Sequence, residues 1–158
     1  MKKLNRKGFT LIELLAVIVV LAIIIVVTIP SVISSMNNAK TSQLNNAVGT
    51  VTEWFTKQYE LASLGGGVGG GPSKEFETFV GKGNNLTDAE KTLDEAVLKA
   101  AGITNPTGLS GKVKLNGSKV CVVLTANPET TVNGVKTPAS QFYVAGAGNA
   151  NTVEGSGC

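Results

Sequence analysis

From Phe9 to Ile29 the chain is apolar almost without interruption, and Glu13 is the single formally charged residue in that run of 21. As a helix the run spans about 31 Å, which matches a hydrocarbon core of about 30 Å. Pro30 follows. It has no amide donor and its ring crowds the preceding turn, so it predicts a kink or break, with local melting and a mere bend both open. Beyond Pro30 the pattern changes: Val32, Ile33, Met36, Leu44, Ala47, Val48, Val51, Trp54, Phe55, Tyr59 and Ala62 recur at steps of mostly three and four. Lys40, Asn45, Glu53, Lys57 and Glu60 fall between them. This is an amphipathic helix with one apolar stripe. A helix from Phe9 to about Ala62 would be a rod of roughly 80 Å. No compact domain of this length needs one, so its apolar half must be buried in lipid or in other copies of the chain. Parallel copies displaced along one axis form an open, heterologous assembly. Trp54, Phe55 and Tyr59 read as the helix face beneath a sheet rather than as a ligand site.

Six glycines in positions 65–71 end the helix and predict a flexible connector. No Walker lysine follows them in register and no strand precedes them, which argues against a phosphate-cradling loop. Thr87-Asp88-Ala89-Glu90 fits a capping box, and Leu93, Ala96, Val97 and Ala100 mark one face of a short helix stopping at Gly102. The carboxylates Asp88, Glu90, Asp94 and Glu95 read as an N-terminal charge bias and a solvated face. Lys112 to Thr125 reads as a hairpin about an Asn116-Gly117 turn. Its predicted register sets Leu115 opposite Ser118, Lys114 opposite Lys119 and Val113 opposite Val120. Alternation then places Lys112, Lys114, Lys119 and Cys121 on an outward face. Val113, Leu115, Val120, Val122 and Leu124 lie on the face that covers the helix. The outward lysines read as a solvated face, with a DNA-binding patch as the alternative. Thr131 to Lys136, around Asn133-Gly134, predicts a second hairpin, and Gln141 to Ala145 a further strand.

Composition narrows the chemistry. A chain of 158 residues has room for one modest domain. It has no histidine, which removes the commonest general base, the usual zinc-water sites and any Ser-His or Cys-His pair. No enzyme activity, cofactor or metal is expected. The formal charge of +3 is misleading, because Lys2, Lys3, Arg6 and Lys7 hold four of the 14 positive charges; without them 10 face 11 negative ones. The basic flank sets orientation instead, keeping the N-terminus cytoplasmic and sending the body outward. An ordinary signal peptide has a shorter apolar run and a small-x-small cleavage site, and Ile29-Pro30-Ser31 is a poor one. A simple anchor leaves Glu13 unexplained, since an unpaired carboxylate at membrane depth costs several kcal/mol. A cut after Gly8 would give Phe9 a free cationic amine about one helical turn from Glu13. A neighbouring copy displaced along the axis would then set its own amine against that carboxylate.

Arg6-Lys7-Gly8, followed by Phe9-Thr10-Leu11-Ile12-Glu13 and the long aliphatic run, resembles the class III leader of type IV prepilins and related pseudopilins. The resemblance covers about the first thirty residues closely and the remainder in architecture. It implies a membrane-bound aspartyl prepilin peptidase that cuts after Gly8 and methylates Phe9, an assembly role for Glu13, and insertion at a filament base driven by a cytoplasmic ATPase. Pro30 resembles the proline near which pilin helices loosen in the filament. The implied fold is α+β, a long N-terminal helical spine packed on an antiparallel sheet, with a Gly-rich connector and a C-terminal disulfide-bounded region. The expected segments are a leader at 1–8, a transmembrane and assembly half of the spine at 9–30, and an amphipathic half at 31–63. A Gly-rich loop with a short helix follows at 64–111, then the sheet and C-terminal region at 112–158.

An exported body permits a bridge between Cys121 and Cys158. It would close a loop of 38 residues and contribute on the order of 4 kcal/mol. This resembles the disulfide-bounded region of type IV pilins; two free thiols are the alternative. The expected function is that of a type IV pilus subunit, type IVa-like and resembling major pilins. Such a chain is a single-pass membrane protein first and part of a homo-oligomeric helical surface filament afterwards. Its partners would be the peptidase and the assembly machinery, with host surfaces or DNA contacted during adhesion, aggregation, motility or DNA uptake. A type II secretion pseudopilin is one alternative, although those commonly carry a calcium site in C-terminal loops, and Val132 to Cys158 contains only Glu154 as an acidic residue. A competence pilin is another, supported by the outward lysines. A membrane-anchored enzyme or receptor would need a convergent polar site, for which no motif is present.

Overall fold

The computed structural model describes residues 9–65, 70–145 and 149–158. The assignments made for Lys2, Lys3, Arg6, Lys7 and Gly8, and for Gly66 to Gly69 of the connector, lie outside the described residues. The chain divides into two units, Met1–Met36 and Asn37–Cys158. The helix α1, Leu11–Ser63, contributes residues to both.

In the first unit α1 starts with Thr10 at its cap and runs as uninterrupted α-helix through Pro30. Of the two outcomes left open at Pro30, the isolated chain shows the helix continuing through the proline. A proline removes one ladder bond, here the one that would reach the Val26 carbonyl, and the turns on either side keep theirs. The hydroxyls on this stretch turn inward to the backbone: Thr28 Oγ1 donates to the Ile24 carbonyl at 2.9 Å and Ser35 Oγ to the Ser31 carbonyl at 3.0 Å. Every described residue of the unit is exposed.

In the second unit the stripe of α1 is buried as its spacing predicts, through Leu44, Ala47, Val48, Val51 and Phe55. Thr52 and Gln58 are buried with them. Thr52 Oγ1 donates to the Val48 carbonyl at 2.7 Å, and Gln58 Oε1 accepts the Ser73 amide at 2.6 Å. Asn85 closes the end of α1, donating to the Tyr59 carbonyl at 3.1 Å and to Ser63 Oγ at 3.0 Å.

After the glycines comes α2, Lys74–Val80, capped by Ser73 Oγ. The sequence pattern did not reveal it, since seven residues hold barely two turns. Its Phe76 and Phe79 rings lie 6.1 and 5.6 Å from the Phe55 ring, and Trp54 stacks edge-on to Phe55 at 4.9 Å. The aromatic part of α1 thus meets α2 as well as the expected sheet: Phe55 shares one buried cluster with Val113, Val120, Val122 and Leu124, and Trp54 and Tyr59 pack against it.

The helix expected from Thr87 starts later. Lys91–Leu93 is a strand, β1, whose Leu93 is buried opposite Gly111, and α3 is Glu95–Ala100. Its cap is Asp94, whose Oδ1 accepts the Val97 amide at 2.8 Å; Thr87 to Glu90 forms no capping box on a helix. Burial of Leu93 beside a longer strand outweighs its local helical spacing. Gly102 does end α3, at φ 98°.

The main sheet is antiparallel in the order β1, β2 (Leu109–Asn116), β3 (Lys119–Ala126), β6 (Asn151–Glu154). The β2–β3 register differs from the expected one. Asn116 pairs with Lys119, Leu115 with Val120 and Val113 with Val122, so Gly117-Ser118 forms the turn. Because the slip is two residues, alternation is preserved and the predicted faces hold. Val113, Val120, Val122 and Leu124 are buried in one cluster with the α1 stripe. The second hairpin forms around Asn133-Gly134 as β4, Thr130–Val132, and β5, Val135–Thr137. Gln141 to Ala145 is not a strand. The Ser140 carbonyl accepts the Tyr143 amide at 3.1 Å, making a turn that buries Phe142. The fourth strand is β6, too short and glycine-flanked to stand out in the sequence.

Cys121 was expected to face solvent. It occupies that sheet face but is buried, because Cys158 is bonded to it and the tail lies over β3. The Gly155 amide donates to the Val122 carbonyl at 2.8 Å. At Gly157 any Cβ would collide with the Val120 carbonyl. The tail therefore approaches as closely as it does because glycine occupies that position.

Candidate functional site

The candidate site is the start of α1. Thr10 and Glu13 form a reciprocal capping box. Glu13 Oε2 accepts the Thr10 amide at 2.8 Å and the Thr10 hydroxyl at 2.7 Å, while the Glu13 amide reaches Thr10 Oγ1 at 3.3 Å. This closes orphan donors at the helix start and fixes the carboxylate beside it. The role of Thr10 was overlooked in the sequence, although Thr10-x-x-Glu13 ahead of an apolar run is the usual signal. Both internal contacts use Oε2, and Oε1 has no partner among the described residues. Phe9, directly before the cap, is 83% exposed.

Behind this start the side chains have nothing to pack on. Of the twenty-two exposed large hydrophobic residues described, nineteen lie between Phe9 and Met36. The segment is long and apolar enough to cross a membrane, and none of that span is buried inside the protein. The structure thus brings Phe9, Thr10 and Glu13 together at one helix end, with Pro30 farther along the same helix, while Gly8 lies outside the described residues.

The other candidate features sit on the second unit. On the outward sheet face Glu90 accepts from Lys112 at 3.0 Å and from Lys114 at 3.4 Å. The Lys112 ammonium first, and Lys114 second, holds the Glu90 carboxyl below the usual carboxylate range. Two of the three outward lysines are therefore paired. Asp94 caps a helix, and Glu95 pairs with Lys99 at 3.3 Å. No cluster of three metal-ligating side chains occurs among the described residues. Cys121 and Cys158 are joined, so neither is a free thiol.

Among known protein families, the description that matches is the prokaryotic N-terminal methylation motif, over residues 3–29. The match takes in Arg6, Lys7, Gly8, Phe9, Thr10 and Glu13 and stops one residue before Pro30. Comparison with curated proteins and with solved structures gives no significant match. The motif, the long helix behind it and the disulfide-closed antiparallel sheet make the chain prepilin-like, a class III leader ahead of a pilin-like α+β fold.

Proposed function

We propose that the chain is a structural subunit of a type IV pilus. The observation that carries the reading is the exposed apolar surface from Phe9 to Met36 directly behind an N-methylation motif. That surface is stable in lipid or against identical helices, and in no other surroundings the sequence offers. In this account the leader stays in the cytoplasm, prepilin peptidase cuts after Gly8, and Phe9 is methylated. The processed subunit waits in the membrane as a single-pass protein. The assembly machinery then moves it into a helical homo-oligomer at the cell surface, used for adhesion, aggregation, motility or DNA uptake.

Within the filament the Phe9 amine of one subunit neutralises Glu13 of the next. The free Oε1 supports this reading: the carboxylate is anchored through Oε2 and still has an acceptor for an incoming amine. Vertical register follows from that pair, and the aliphatic side chains supply packing. Binding of DNA through the outward lysines is less well supported, because Glu90 already engages Lys112 and Lys114.

The test is a Glu13→Ala variant expressed in place of the natural chain. Cleavage should persist, while filaments seen by electron microscopy are lost or greatly reduced. Normal filaments from the variant would defeat the pairing.

A further inference from the structure

Two Asn-Gly dipeptides lie at hairpin tips, Asn116-Gly117 between β2 and β3 and Asn133-Gly134 between β4 and β5. Chemically they are equivalent, since glycine lets its backbone nitrogen approach the preceding carboxamide without hindrance from a side chain. Their surroundings are not. Asn116 Nδ2 donates to the Gly157 carbonyl at 3.3 Å and the Cys158 carbonyl at 3.1 Å. Asn116 also closes a ladder of eight pairs, and the tail it holds is tied down by the disulfide. Asn133 is exposed, at φ 51°, and its carboxamide has no partner among the described residues. All six strand residues of its hairpin are exposed, Val132 and Val135 at 61% and 68%. A two-stranded ribbon with neither face covered is marginally stable and opens readily.

We propose that Asn133 is a site of spontaneous deamidation in the folded protein and that Asn116 is protected by its surroundings. When the β4–β5 turn leaves its left-handed conformation, the Gly134 backbone nitrogen attacks Asn133 Cγ. The N–Cγ bond forms, the Cγ–Nδ2 bond breaks, and the carboxamide nitrogen departs as ammonia with the Gly134 amide proton. Water then adds to either carbonyl of the five-membered succinimide. Opening gives aspartate, or isoaspartate in which the backbone runs through the β-carbon. Water is the only co-reactant. Each event adds one negative charge to an exposed tip, and the isoaspartate form lengthens a two-residue turn that the Val132–Val135 pairing requires to stay short. This inference stands apart from the filament reading.

The experiment incubates the purified, oxidised full-length chain in mildly alkaline buffer and follows both sites by peptide mass mapping. Acid should appear at Asn133 about tenfold or more faster than at Asn116, the ratio given by an opening about 1.4 kcal/mol easier. Isoaspartate should be detectable at the same site. In the reduced, denatured chain the two sites should convert at similar rates. Two results would overturn the proposal: Asn116 converting as fast as Asn133 in the folded chain, or Asn133 staying intact over a time in which the denatured chain converts. An Asn133→Gln variant should lose the early acidic species, and persistence of that species would also overturn it.

Discussion

The two units of the chain solve opposite problems. In Asn37–Cys158 the α1 stripe, α2 and the sheet bury one another, and the disulfide pins the tail. In Met1–Met36 the described apolar side chains cover nothing and are covered by nothing. The first arrangement is self-sufficient, whereas the second is stable only with a partner surface. A folded body joined to a segment that cannot be satisfied alone is the physical basis for reading the chain as a building block. Damage to one unit should therefore leave the other's property intact.

The sharpest way to break that comparison is a charge in the first unit. Ile18→Lys should abolish filaments by electron microscopy, since a cation at the centre of an apolar span costs roughly 2.5–3.5 kcal/mol on insertion scales. The melting of the body, followed through Trp54, should not move. The mirror experiment is Phe55→Ala, which removes the ring at the centre of the Trp54, Phe76 and Phe79 contacts. It should destabilise the body by about 3–5 kcal/mol in denaturant titration. Cys158→Ser comes next, with about 2–4 kcal/mol lost and the tail released from β3. Asp94→Ala should cost about 1 kcal/mol through the lost α3 cap.

The smallest effect sharpens the picture of the outward face. Glu90 is held below the usual carboxylate range by Lys112 and then Lys114. A carboxyl lowered in the folded state contributes stability that is present at neutral pH and lost as pH falls through the lowered value. The groups are exposed and screened, so the change in stability should be slight. The readable signal is the Glu90 titration by NMR, which should return toward the ordinary carboxylate range in a Lys112→Met, Lys114→Met double variant.

Much of the molecule was legible in the sequence where long periods speak. The α1 stripe, the β2 and β3 faces and the Asn133-Gly134 hairpin follow from spacing and turn chemistry. Short elements were not legible. Seven residues of α2 and four of β6 carry too little period, and both are held by distant partners: Phe76 by Phe55, and Val153 by pairing with Leu124. Leu93 has the spacing of a helix and the surroundings of a strand, and the surroundings decide. Around the candidate site, Glu13 stood out because a lone charge in an apolar run demands an explanation. Thr10 did not, although the two bonds it donates to Glu13 Oε2 are the shortest polar contacts at the helix start.

The most direct measurement of the central claim is the intact mass of the subunit from filaments sheared off the cell surface. Processing predicts a chain that begins at Phe9, lacks residues 1–8 and carries one added methyl group. A filament subunit that still begins at Met1 would contradict the account.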